Sequence, residues 1–207
     1  HYLKNKRNYL NFNRINNNRI INSGNGIIIK TEKFLRCTDN YIGYNLISNN
    51  SGLGIFLSFS EGTLIENNYI SDNSEGIVMT NNMGNTIKKN VVEENSLNGI
   101  FLENGMNIWI SENILDKNGG EQKNDSAFNT GNGLKIKAKK IKKVPYQNSS
   151  NIIVKANLIS NNTNAGVFAS NTNRLTVEGN CITDNPQSVV NQQCTKTSIR
   201  FNTRLEK

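Results

Sequence analysis

Residues 74–95 read SEGIVMTNNMGNTIKKNVVEEN, and residues 97–118 read LNGIFLENGMNIWISENILDKN. The two stretches share a glycine before an aliphatic triplet (Gly76, Gly99) and an asparagine opening the pattern N-x-[IVL]-x-x-N (Asn90, Asn113), and little else. Both marks recur along the chain. The glycine series is Gly54, Gly76, Gly99, Gly133 and Gly166; the asparagine series is Asn45, Asn68, Asn90, Asn113, Asn157 and Asn180. Glycine leads to asparagine in 14 residues at Gly54, Gly76, Gly99 and Gly166, and asparagine leads back to glycine in 8 or 9. Asn18 and Gly26 extend the series at the front, and Ser188 and Asn202 at the back. Self-similarity at a fixed period, here 22 to 23 residues, is the mark of a repeat architecture.

Within each repeat the apolar residues alternate with period 2, the spacing of strands that bury one face. After the glycine come Ile55/Leu57, Ile77/Met79, Ile100/Leu102, Leu134/Ile136 and Val167/Ala169. Farther on lie Ile65, Ile87, Ile110 and Val177, and two residues past each asparagine lie Ile47, Ile70, Val92, Leu115, Ile159 and Ile182. Three short strands per repeat, with no room for a helix, predict an all-β solenoid of about eight coils, each stacked on the last as a parallel β-helix. The expected rod is roughly 40 Å long at ~4.8 Å per coil. One coil is longer than the rest. Asn113 to Gly133 takes 20 residues and Gly133 to Asn157 takes 24, which predicts two loop insertions, about 119–130 and 138–148, with a smaller one at TEKFLR, residues 31–36.

These residues resemble the right-handed, single-stranded parallel β-helix repeats of the pectate-lyase-like class. The match is to the short repeat G-I-x-L…I-x-x-N-x-I-x-x-N, which occurs in nitrous-oxide-reductase maturation proteins, alginate epimerases and the substrate-binding region of certain F-box proteins. The likeness runs over about residues 9–205. It implies the fold, while the function ranges over lyases, epimerases, hydrolases and pure binding scaffolds. The asparagines Asn45, Asn68, Asn90, Asn113, Asn157, Asn180 and Asn202 then form one internal ladder of hydrogen-bonded amides, and are expected to adopt the left-handed angles of tight corners.

Chemistry is hard to find. The hydrolase signatures of the resembled class (N-T-D, D-D, G-H-G, R-I-K) are absent, as are the D-P-H element of alginate epimerases and calcium nonapeptides. His1 is the only histidine, so no Ser-His-Asp set can be assembled. Asp72 and Asp184 share a slot that holds Lys117 in another coil, the behaviour of a solvated turn. No cofactor and no metal site is expected: Cys37, Cys181 and Cys194 fall in unlike slots without a histidine nearby. Three cysteines without paired spacing are no disulfide framework and point towards a reducing, cytoplasmic compartment. No apolar run approaches a membrane span.

The residues between the inward ones say more. The second position after the glycine points outward and reads Ile28, Phe56, Val78, Phe101, Lys135, Phe168 and Val190. The outward slot of the second strand reads Leu64, Thr86, Trp109, Ile153 and Thr176; that of the third reads Leu46, Tyr69, Val91, Ile114, Leu158 and Cys181. An apolar stripe over the first sheet, with Ile28, Phe56, Val78, Phe101, Trp109 and Phe168 as candidate binding residues, predicts an interaction surface.

Charge is segregated as well. Residues 1–36 hold eight Lys or Arg against Glu32 alone, and residues 135–143 hold six lysines (Lys135, Lys137, Lys139, Lys140, Lys142, Lys143) and no acid. The run suits an acidic partner. Without interleaved aromatics it does not support specific nucleic-acid reading. Asparagine, 41 residues of the 207, takes the place of apolar mass in a chain only 35% hydrophobic. The chain opens on His1 and is read as a piece of a longer polypeptide. Two functions are expected from different classes: a noncatalytic scaffold that binds other proteins or flanking domains along the first sheet, or an enzyme acting on an anionic polysaccharide held by the basic segment.

Overall fold

The computed structural model describes residues 10–31, 35–120, 130–139 and 149–203. Each coil contributes one strand to each of three parallel sheets, for example Glu75–Thr80, Thr86–Lys88 and Val91–Glu93. The first and third sheets have seven strands each and the second has eight. The expected coil is thus the observed one, and no described residue is helical.

The alternation read from the sequence is the packing. Ile55, Leu57, Ile77, Met79, Ile100 and Leu102 of the first sheet meet Ile65, Ile87 and Ile110 of the second and Ile70, Val92 and Leu115 of the third in one buried core. Register is fixed because a one-residue slip would turn every one of these side chains to water. The insertions do not break the stack. Asn113 bonds directly to Asn157, 44 residues on, so a full coil with its loops lies between two consecutive rungs. Most of the insertions, 121–129 and 140–148, fall outside the described residues.

Two corners carry amide ladders where one was expected. From Asn18 through Asn45, Asn68, Asn90, Asn113, Asn157 and Asn180 to Asn202, each Oδ1 accepts from the backbone N–H and the Nδ2 of the previous rung at 2.9–3.0 Å. A second ladder runs five residues later through Asn50, Asn73, Asn95, Asn118, Asn162 and Asn185 at 2.9–3.3 Å. It is the closing N of N-x-[IVL]-x-x-N.

The backbone angles correct the expectation for these asparagines. The left-handed residue of the corner is the one before the ladder position: Asn67, Lys89, Glu112 and Ala156, with φ of 55–57°. The ladder asparagines are there for their side chains. The slot shared by Asp72, Lys117 and Asp184 is likewise a left-handed, exposed corner.

Glycine recurs for closeness. A Cβ on Gly76 would lie 2.3 Å from Val92 Cγ1 and 2.4 Å from the carbonyl oxygen of Gly99. Only a hydrogen fits where the first sheet turns in over the third.

Candidate functional site

The outward column of the first sheet stacks as read. Ile28, Phe56, Val78, Phe101, Lys135, Phe168 and Val190 are successive backbone partners across seven strands. None of them joins the packed cluster inside the coils. Exposure along the column is uneven, however. Ile28 is open to water and Phe56 and Phe101 are half-buried, whereas Val78 is 5% and Phe168 4% exposed. Trp109 sits apart, exposed on the second sheet between Thr86 and Ile153.

Of the six lysines, Lys135 and Lys137 are strand residues (Leu134–Lys137) rather than loop residues, and both meet the aromatic column. The Lys135 Nζ lies 5.8 Å from the Phe101 ring centre and 5.9 Å from that of Phe168, one coil to either side. The residue is 8% exposed. Lys137 Nζ sits 4.8 Å over Phe101 and 3.0 Å from Glu103 Oε2. Such cation–ring contacts gain strength as water is removed. Lys139 is exposed, its backbone N–H donating to Asn104 Oδ1 at 2.8 Å. Lys140, Lys142 and Lys143 lie outside the described residues.

A carboxylate that sequence reasoning passed over completes the cluster. Glu75 Oε1 accepts from Asn98 Nδ2 at 2.7 Å, and Asn98 Oδ1 accepts from the backbone N–H and Nδ2 of Asn132 at 3.2 and 2.9 Å. The relay fixes the Asn98 amide with its nitrogen towards Glu75. The signal was present in the repeat. The slot before the glycine reads Leu53, Asn98, Asn132 and Ala165 in other coils, so Glu75 is the lone acid among neutral residues.

Burial pushes the Glu75 carboxyl above its ordinary range, against the Asn98 hydrogen bond and the positive charges of Lys135 and Lys137, which favour the ionised form. Burial also pulls the Lys135 amine below the ordinary lysine range; the like charge of Lys137 adds to this and Glu75 opposes it. Both shifts favour the neutral forms, drawing the two groups' titrations towards each other. Perturbed groups of this kind gather at functional sites.

Among the described residues no group of three or more His, Cys, Asp or Glu could hold a metal, and no helix is long and apolar enough to cross a membrane. A cavity of about 430 Å³ in the last coils, lined by Ile182, Val189, Ile199 and Phe201 among others, shares no residue with the Lys135 cluster.

The family model described as "Right handed beta helix region" matches residues 2–139, more than half of the chain. The chain belongs to the right-handed β-helix family. None of the curated proteins matches it significantly by sequence. Among solved structures it is similar to an alginate lyase from Paenibacillus sp. str. FPU-7 (10% identity, TM-score 0.50, covering 84% of this chain and 68% of that one). It is also similar to the pectate lyase Pel9A (16%, 0.53, covering 89% and 52%) and to the A-module of the Azotobacter vinelandii mannuronan C-5 epimerase AlgE4 (12%, 0.55, covering 95% and 58%). At such identities the likeness is one of fold, and the chain spans between about half and two thirds of those proteins.

Proposed function

We propose that the outer face of the first sheet binds an anionic polysaccharide and removes a proton from it, with Lys135 as the base. The observation that carries this reading is the Lys135 amine, shut away from water between Phe101 and Phe168 on a face that turns outward. Proteins of similar fold are named for action on alginate, pectate and mannuronan. Lyases and C-5 epimerases of uronate polymers share a first step, abstraction of the proton beside the sugar carboxylate, and a neutral amine in a low-dielectric site is a competent base for it. Lys137, held by Glu103 and two residues along the same strand, supplies positive charge for the sugar carboxylate. Glu75, whose charge bears on both lysines, would donate a proton in its protonated form.

The test is turnover on polygalacturonate and on alginate. Elimination is followed by the ultraviolet absorbance of the unsaturated product, and epimerisation by deuterium uptake from heavy water at the sugar carbon. Lys135→Met is expected to lower the rate by roughly 10²–10⁴-fold. Neither reaction on either polymer, or an undiminished rate in the variant, refutes the reading. A scaffold role along this same sheet has a narrower footing, the open Ile28 and the half-buried Phe56 and Phe101.

A further inference from the structure

The third sheet has what the first lacks, an apolar row that stays open. Leu46, Tyr69, Val91, Ile114, Leu158 and Cys181 are successive backbone partners over six coils. Tyr69 is 40% exposed, Ile114 and Leu158 38% each, and the other three are half-buried. At ~4.8 Å per coil the row runs roughly 24 Å. The corner that leads into it is two residues long in every coil, as at Lys89–Asn90 and Glu112–Asn113, so no insertion interrupts that border.

Beside the apolar row runs an acidic one. On the same strands and the corner that follows stand Asp72, Glu93, Glu94, Asp116 and Asp184, with Lys117 the one base across those coils. Five acids less one base give −4 on this face of a chain whose net charge is +8. Neighbours hold the carboxylates in place. Asp72 accepts from Ser71 at 2.9 Å, Asp116 from Ser160 at 2.6 Å and Asn161 at 2.8 Å, Asp184 from Thr183 at 3.1 Å, and Glu93 from the Tyr69 hydroxyl. Lys117 is drawn to Glu94 at 3.5 Å and Asp116 at 3.9 Å.

We propose that this face is a docking surface for a basic protein segment that alternates cationic and apolar residues. Charge complementarity selects the occupant. A fixed acidic row repels phosphate backbones, anionic lipid and anionic glycan alike, so it cannot serve the ligand proposed for the first sheet. Exposed aliphatic side chains in a continuous row mark a protein contact rather than solvent. Basic groups opposite the acidic row would give such a contact its specificity and its rate of encounter. Two copies of the chain paired through this face would bring both acidic rows into one interface, which disfavours self-association. The surface stands independently of any activity at Lys135.

The probe is a synthetic peptide of alternating leucine and lysine, titrated against the intact chain by calorimetry. It is expected to bind with saturation. Peptides of alternating serine and lysine or leucine and glutamate are expected to bind roughly tenfold more weakly or worse. The triple variant Tyr69→Ser, Ile114→Ser, Leu158→Ser removes only exposed groups and is expected to melt as the parent does while losing roughly tenfold in affinity. Glu93→Gln with Asp116→Asn loses affinity as well, whereas Lys135→Met does not. Equal binding of the serine peptide, or undiminished binding by the triple variant, overturns the proposal. So does a dimer in sedimentation that the triple variant dissolves, which would make a second copy the occupant.

Discussion

Replacing Asn113 by alanine tests whether the amide ladders hold the coils together. Its Oδ1 accepts from the N–H and Nδ2 of Asn90, both at 3.0 Å. Its Nδ2 donates to Asn157 Oδ1 at 3.0 Å, to the Ile87 carbonyl at 3.0 Å and to the Ser111 carbonyl at 2.9 Å. In the alanine variant the Asn90 amide nitrogen still reaches the carbonyls of Ile65 and Lys88, and Asn157 Oδ1 still accepts the backbone N–H of residue 113. The Asn90 backbone N–H loses its acceptor in a fully buried place. One stranded buried donor costs about 1–3 kcal/mol, and each of two or three further bonds lost about 0.5–1.5, so the expected loss is about 2–7 kcal/mol.

Asn202 is the contrast. It accepts from Asn180 and donates to Val177 in the same way but is half-buried, so water replaces much of what its removal takes. About 1 kcal/mol is expected there. Asn113→Asp is expected to be at least as harmful as alanine, since a carboxylate would face the carbonyls of Ile87 and Ser111. Urea unfolding followed by circular dichroism gives the three numbers. Because coils of a solenoid feel mainly their neighbours, hydrogen exchange at the Asn90 amide checks that the loss is local. Equal losses at Asn113 and Asn202, or a tolerated aspartate, would refute the reasoning.

Other consequences are as definite. Glu75, whose folded carboxyl lies above its unfolded range, contributes stability at acid pH that is lost as pH rises through the folded value. Glu75→Gln is therefore expected to raise the melting temperature at pH 8 and to leave it unchanged at a pH below the ordinary carboxylate range. Lys135 has the opposite sign, its folded amine lying below the unfolded value, so stability rises as pH climbs between the two. Lys135→Met should stabilise the chain near neutral pH and lose that advantage in alkali. The same depressed amine requires that turnover rise with pH through a midpoint below the ordinary lysine range, and a midpoint at or above that range would exclude Lys135 as the base. Gly76→Ala, which forces a Cβ against a backbone oxygen, is expected to cost about 1–3 kcal/mol. Gly24→Ala, where a Cβ meets nothing within 4 Å, is expected to be neutral by the same unfolding measurement.

The fold was legible because a solenoid writes its geometry once per coil. Ile77 and Met79 alternate, Asn90 and Asn113 recur, and each position is constrained by the rung above and below. The second ladder was written as plainly in Asn95 and Asn118 but needed the recognition that two corners, not one, turn on an amide. The left-handed residues were illegible, since Lys89, Glu112 and Ala156 share no side-chain property; the conformation there is imposed by the stack. The site was half legible. Lys135 was read as one of a basic run, although the repeat also set it in the apolar column, and Glu75 was passed over, because a search for paired aspartates has no reason to stop at a lone glutamate. Which of two apolar rows stays open was likewise beyond the pattern: Val78 and Tyr69 both face outward, and only packing on the sheet surface covers one and leaves the other exposed.

A polymer lying on the first sheet over Lys135 is tested most directly by backbone-amide NMR of the isotopically labelled chain, titrated with a galacturonate oligomer and with an alginate oligomer. For at least one of them, saturable shifts are expected on the strands Glu75–Thr80, Ile100–Glu103, Leu134–Lys137 and Ala165–Ser170, and these should vanish in Lys135→Met. Shifts that instead follow the basic residues Arg14 to Arg36, or that persist in the variant, would contradict a site built around that lysine.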